Sequence, residues 1–114
     1  MSALVIPIRT VSEANTHAHW RGRQKRAKEH RGLVPLMLNV STPKPALPCT
    51  IKITRIAPRA LDDDNLAGSQ KHVRDGIADW LGINDRDPRV KYEYAQRKGK
   101  KQEYAVQIEI MAKP

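Results

Sequence analysis

The chain contains no phenylalanine, and aromatic residues make up only 4% of its 114 positions, so its core must come from Leu, Ile, Val, Ala and Met. Trp20, Trp80, Tyr92, Tyr94 and Tyr104 are the only large rings available to help. So thin a core favours burial against a second copy. A single cysteine, Cys49, excludes an intrachain disulfide and a cysteine zinc cluster, suits a reducing compartment, and makes the cytoplasm the expected location. No apolar run is long enough to span a bilayer. The apolar start, Ala3 to Ile8, has no basic region ahead of it and reads as a strand rather than a signal peptide. There is no internal repeat, and the length predicts a single domain over 1–114.

Acidic residues are scarce as well: 12 Asp and Glu stand against 21 Lys and Arg, for a formal net charge of +9. The basic residues cluster at 21–31 and 97–101, which points to a polyanionic partner. Neither cluster carries the apolar side chains needed to lie on a bilayer, so nucleic acid is expected and a membrane is not. Arg21, Arg23, Lys25 and Arg26 in the first cluster, and Arg97, Lys98, Lys100 and Lys101 in the second, are the candidate contacts. No small-molecule cofactor is expected.

One stretch runs against this composition. Leu61-Asp62-Asp63-Asp64-Asn65-Leu66 places three carboxylates in a row. Like-charge repulsion makes such a run costly unless a cation, a helix N-terminus or solvent relieves it. It is therefore either a metal site or an acidic loop whose Asp63 or Asp64 caps a helix.

The flanking pattern places the stretch. Residues 3–9 predict an edge strand or a strand that ends near Pro7, because proline cannot donate to a ladder. Straight-chain residues from Arg21 to Arg31 predict a basic helix, and Gly32 to Asn39 reads either as its kinked continuation through Pro35 or as an extended segment. Ser41 to Pro48 is a proline-rich loop, and the alternation from Cys49 to Ala57 predicts a half-buried strand. From Asp64 to Leu81 the pattern is helical. Leu66, Val73, Ile77, Trp80 and Leu81 share one face, Asp64, Lys71 and Asp75 lie on the other, and Gly82 is the stop. A turn over Ile83 to Pro88 leads into strands at 89–96 and 102–111, joined at 97–101 by a basic hairpin tip in which Gly99 supplies positive φ if the turn requires it. The expected fold is α+β: a small mixed sheet of about four strands, a central helix after the acidic motif and a basic N-terminal helix.

Cleavage of a phosphodiester with Mg²⁺ or Mn²⁺ calls for a few hard oxygen ligands that leave positions open for water and phosphate. Asp62 and Asp64, at a strand–helix junction, supply two. Asp85 or Asp87, on the turn after the helix, is the candidate third, through a returning strand or across a dimer. His17 and His19 lack the cysteine or carboxylate partners of a zinc site, and the ladder of a Ca²⁺ loop is missing.

The run Leu61-Asp-Asp-Asp-Asn-Leu66, with Lys71, Asp75-Gly76, Gly82-Ile83, Asp85-Arg-Asp87 and Val90 after it, resembles the RusA family of Holliday junction resolvases. Ser12-x-x-Asn15 and the His, Trp and Arg residues that follow resemble the family's N-terminal segment. The resemblance implies a small homodimeric, Mg²⁺-dependent endodeoxyribonuclease that nicks a four-way DNA junction symmetrically. It assigns Asp62, Asp64 and Asp87 to the metal, with Asp85 as the alternative to Asp87, and Lys71 to stabilising charge on the phosphate or leaving oxygen. Asn15 and Arg59 join the DNA contacts, and Asp63 is left to solvent or capping. The competing reading is a non-catalytic basic nucleic-acid-binding domain in which the acidic stretch only caps a helix.

Overall fold

The computed structural model describes residues 2–10 and 20–112. Its elements in chain order are β1 (Ser2–Ile6), α1 (Trp20–Ser41), β2 (Cys49–Ala57), α2 (Asp63–Ser69), α3 (Lys71–Leu81), β3 (Val90–Lys98) and β4 (Ala105–Ala112). The strands form one mixed sheet in the order β1-β4-β2-β3. β4 pairs antiparallel with both β1 and β2, whereas β2 and β3 run parallel. The small α+β fold with a four-stranded mixed sheet agrees with the expectation, including β1 at an edge.

One sheet face is apolar. Ile6 of β1, Ile51 and Ile53 of β2, Val90 of β3, and Val106, Ile108 and Ile110 of β4 meet Val34 and Leu38 of α1 and Val73, Ile77 and Trp80 of α3 in one buried cluster. The core is therefore aliphatic, as the missing phenylalanine requires, and Trp80 belongs to it. Cys49 is buried there too, and burial pushes its thiol pKa up, which keeps it protonated and unreactive.

α1 continues through Pro35, so Gly32 to Asn39 is helical rather than extended. Proline has no N–H to give to the Arg31 carbonyl one turn earlier. That carbonyl lies against α3 at Gly76, where a Cβ would stand 3.0 Å from Val34 Cβ, 3.2 Å from Arg31 O and 3.3 Å from Pro35 Cδ. A hydrogen at Gly76 lets the two helices approach.

Two expectations are corrected. The helix expected over 64–81 is two helices, broken at Gln70, whose backbone (φ −99°, ψ 5°) leaves the helical region. Gln70 is fully buried, and its Nε2 donates to Thr10 Oγ1 (3.3 Å) and Ser69 Oγ (3.3 Å). Anchoring that side chain to Thr10, in the segment that follows β1, outweighs helical continuity.

The second correction concerns 97–101. β3 and β4 do not form a hairpin, because β2 lies between them. The segment instead crosses the end of β2, a gap of two strand spacings, or roughly 10 Å. Gly99 N–H donates to Ala57 O (2.8 Å), Lys100 N–H to Glu103 Oε1 (2.8 Å), and Glu103 N–H to Lys100 O (3.0 Å). Positive φ falls on Gln102 (62°), not Gly99. Gly99 serves close approach instead: its Cβ would stand 2.9 Å from Glu103 Oε1.

Candidate functional site

Because β2 and β3 are parallel, their C-terminal ends share one edge of the molecule, with Ala57 opposite Lys98. The acidic stretch leaves from one of these ends and the basic crossover from the other. The register continues the core rows into polar positions there: beyond Ile51 and Ile53 comes Arg55, and beyond Val90, Tyr92 and Tyr94 comes its partner Gln96.

Gln96 positions the acidic stretch. Its Oε1 accepts from the Leu61 N–H (2.9 Å) and its Nε2 donates to the Leu61 carbonyl (2.7 Å), which fixes the residue before Asp62 as a ladder partner would. Asp62 is then the N-cap of α2. Its Oδ1 accepts from Asn65 N–H (2.9 Å) and its Oδ2 from Asn65 Nδ2 (3.1 Å). The capping residue is thus Asp62, where the sequence suggested Asp63 or Asp64. Asp63 and Asp64 occupy the first turn of α2 and are exposed, and a helix N-terminus favours their charge.

Lys71 begins α3 and is exposed, with no ion pair to Asp75 among the described residues. The break at Gln70 places it on a different helix from Asp64, so the charged face shared by Asp64, Lys71 and Asp75 is not continuous.

Asp85 and Asp87 are held elsewhere. Val90, three residues after Asp87, pairs with Cys49 at the start of β2, whereas the acidic stretch follows the end of β2. Asp87 accepts from Arg89 Nη2 at Oδ2 (2.8 Å) and from Arg89 Nε (3.1 Å) and N–H (2.9 Å) at Oδ1, and these bonds hold its carboxyl pKa down at about 2. Asp85 accepts from Arg74 Nη2 (3.4 Å), and Arg74 Nη1 donates to Tyr94 OH (3.1 Å), next but one to Gln96 on β3. Among the described residues, no group of three or more His, Cys, Asp or Glu side chains is placed to hold a metal ion. Asp62 and Asp64 stand two residues apart at the start of α2, and neither Asp85 nor Asp87 joins them.

The cations divide by location. Arg59, Arg97 and Lys98 line a cavity of about 340 Å³ at the end of β2 and β3. Lys100 and Lys101 are exposed on the crossover. Lys25 is exposed on α1 and pairs with Glu29 (3.9 Å), and half-buried Arg26 lines a separate cavity with Arg9, which follows β1. Arg21 and Arg23 fall in the first turns of α1, outside the described side chains, and Asn15 and the Ser12 segment lie outside the described residues.

No family model matches the chain. Over 82 residues it is 39% identical to an uncharacterized protein of Xylella fastidiosa (strain Temecula1 / ATCC 700964), an alignment that takes in 63% of this chain and 52% of that protein. The chain thus spans about half the length of this relative. Among the described residues no helix is long and apolar enough to cross a membrane.

Two residues of this edge escaped the sequence reading. Gln96 looked like one more polar position in an alternating strand, and Arg55 sat in the polar half of "Ile-Thr-Arg-Ile". The missed signal is that each interrupts the apolar face of its strand at the last turn before the site, where a side chain faces the core's end instead of solvent.

Proposed function

We propose that this chain is a Mg²⁺-dependent, structure-selective endodeoxyribonuclease of the RusA type, acting as a homodimer on four-way DNA junctions in recombination and repair. One observation carries the reading. An acidic turn held by Gln96 lies at the same sheet edge as Arg59, Arg97 and Lys98, in a chain of formal net charge +9. Cations that draw a phosphate backbone toward two outward carboxylates are what metal-assisted phosphodiester hydrolysis requires.

Mg²⁺ typically binds through one or two carboxylates and completes its shell with waters and substrate phosphate. The residues present fit that demand. Asp62 is oriented by Asn65 yet keeps lone pairs free on both oxygens, and exposed Asp64 follows on the first turn of α2. When bound, the metal supplies Lewis-acid polarisation of the phosphate and a water of lowered pKa. The chain's own residues do the rest: Gln96 fixes Leu61, Asn65 fixes Asp62, the cations of the edge bind and orient the strand, and Lys71 stabilises developing charge. Asp87, or alternatively Asp85, completes the site in a dimer that carries the turn of one copy to the acidic stretch of the other. Mn²⁺ serves in place of Mg²⁺.

A second reading is a basic nucleic-acid-binding domain without catalysis. It is favoured by one observation: Asp62 uses both oxygens in a helix cap. Incubation of the protein with a synthetic four-way junction, a plain duplex and a replication fork, with and without Mg²⁺, separates the two. Paired symmetrical nicks confined to the junction support resolution, whereas metal-independent binding without nicks on any substrate leaves only the binding domain.

A further inference from the structure

Arg55 is a buried charge without a counter-ion. Its side chain sits at the end of the core rows and the residue is only 7% exposed. Its Nη1 donates to the Arg59 carbonyl (2.7 Å), but its Nε finds no acceptor, and no carboxylate pairs with it among the described residues. Burial lowers its pKa; Tyr104 opposes this in part, and nearby Arg9 adds a lowering that ranks behind both. A buried guanidinium left unpaired is costly, and proteins keep one where something negative completes it.

The surroundings specify that partner. Besides the apolar Ala57, Pro58 and Ala60, the cavity of about 340 Å³ that Arg55 helps to line is edged by Arg59, Gln96, Arg97 and Lys98, with no acidic residue. Arg59 leads, within three residues, to Asp62. The guanidinium fork and ammonium groups match phosphate oxygens, which accept several charge-assisted hydrogen bonds at once.

We propose that this pocket holds one phosphate group of a nucleic-acid strand, with Arg55 as its floor and Arg59, Arg97 and Lys98 around its mouth. Gln96 forms the wall shared with the acidic turn, so a phosphate held there sets the register of the strand relative to Asp62 and Asp64. The pocket rests on the nucleic-acid reading above; only the register also depends on hydrolysis. It also makes Arg55 a positioning residue that binds substrate away from the reacting atoms.

The test uses the full chain and follows the arginine Nε–H resonances by NMR during titration with inorganic phosphate, with ionic strength held constant by chloride. One resonance, missing from Arg55→Met, moves saturably, and an unlabelled four-way junction without Mg²⁺ moves the same resonance. The double variant Arg97→Ala/Lys98→Ala changes only exposed side chains, so it keeps the fold even if Arg55→Met does not. It binds phosphate at least about tenfold more weakly, since even one of the two charge-assisted bonds removed is worth that much. An Arg55 resonance unmoved by phosphate and junction, or equal phosphate affinity in the double variant, overturns the pocket. Saturable phosphate binding without nicking leaves the pocket standing and removes hydrolysis. Nicking with an unmoved Arg55 resonance does the reverse.

Discussion

Replacing Gln96 with Leu keeps the volume of the side chain and removes both of its hydrogen-bonding groups. Wild-type Gln96 makes two bonds to Leu61, at 2.9 and 2.7 Å, both part-buried. Each is worth about 0.5–1.5 kcal/mol net, and the Leu61 N–H and carbonyl recover only part of that from water, so a loss of about 2 kcal/mol is expected. For a domain of this size that is roughly an 8 °C drop in Tm. The effect is local as well as global. If Leu61 opens by the same amount, its amide exchanges about 30-fold faster in the variant, while amides in the centre of β2 follow global stability. Gln96→Glu keeps the acceptor for the Leu61 N–H but sets a carboxylate against the Leu61 carbonyl, so it too is destabilising. Urea unfolding and hydrogen exchange on the two variants read both quantities. A Gln96→Leu protein as stable as wild type, with unchanged Leu61 exchange, would refute the idea that Gln96 holds the acidic turn.

Other outcomes follow from the same contacts. Asp62→Ala removes the α2 cap and costs about 1 kcal/mol, whereas Asp62→Ser restores the cap but not the charge, so chemical denaturation separates capping from any metal-dependent loss of activity. Gly76→Ala brings a methyl to 3.0 Å from Val34 Cβ and 3.2 Å from the Arg31 carbonyl. The overpacking, about 1–3 kcal/mol, outweighs the gain in helix propensity, whereas Gly68→Ala, with nothing within 4 Å, stabilises by about 0.5–1 kcal/mol; thermal melts give opposite signs. Arg89→Gln removes the two side-chain bonds to the Asp87 carboxyl but keeps the backbone N–H bond, so the midpoint rises from about 2 only part of the way toward 3.8 in a ¹³C-detected NMR titration. Because the folded-state pKa is depressed, the wild-type interaction stabilises the fold fully above about 3.8 and is lost as pH falls through about 2.

Much of the fold was legible because local chemistry decides it. Pro7 limits β1, the alternation from Cys49 to Ala57 marks β2, the stripe Val73-Ile77-Trp80 marks the buried side of α3, and Gly82 caps α3 with φ 72°. What sequence did not reveal depends on partners distant in the chain. Gln70 breaks a helix to reach Thr10, sixty residues away. The basic run 97–101 looks like a tight turn only until β2 is known to lie between its strands. Pro35 reads equally as a kink or a break until Gly76 supplies the surface that α1 needs in order to continue. The acidic stretch itself was visible by its charge, but its capping residue, its attachment to Gln96 and the buried Arg55 beside it are products of strand register, which no local pattern encodes. The turn acids show the same limit: Asp85 and Asp87 have the composition of a metal site, yet Arg74 and Arg89 engage them within the chain.

Asp64→Asn tests the proposed function most directly. The substitution removes one exposed charge at the first turn of α2 without touching Asp62, Asn65 or Gln96. Junction binding in Ca²⁺ or chelator and junction cleavage in Mg²⁺ are measured on the same preparation. A metal-dependent nuclease built on Asp62 and Asp64 loses paired nicking while binding the junction as tightly as wild type or more so, since a repulsive charge is gone. Undiminished nicking by the variant, or no nicking by the wild-type protein under conditions where it binds the junction, would contradict it.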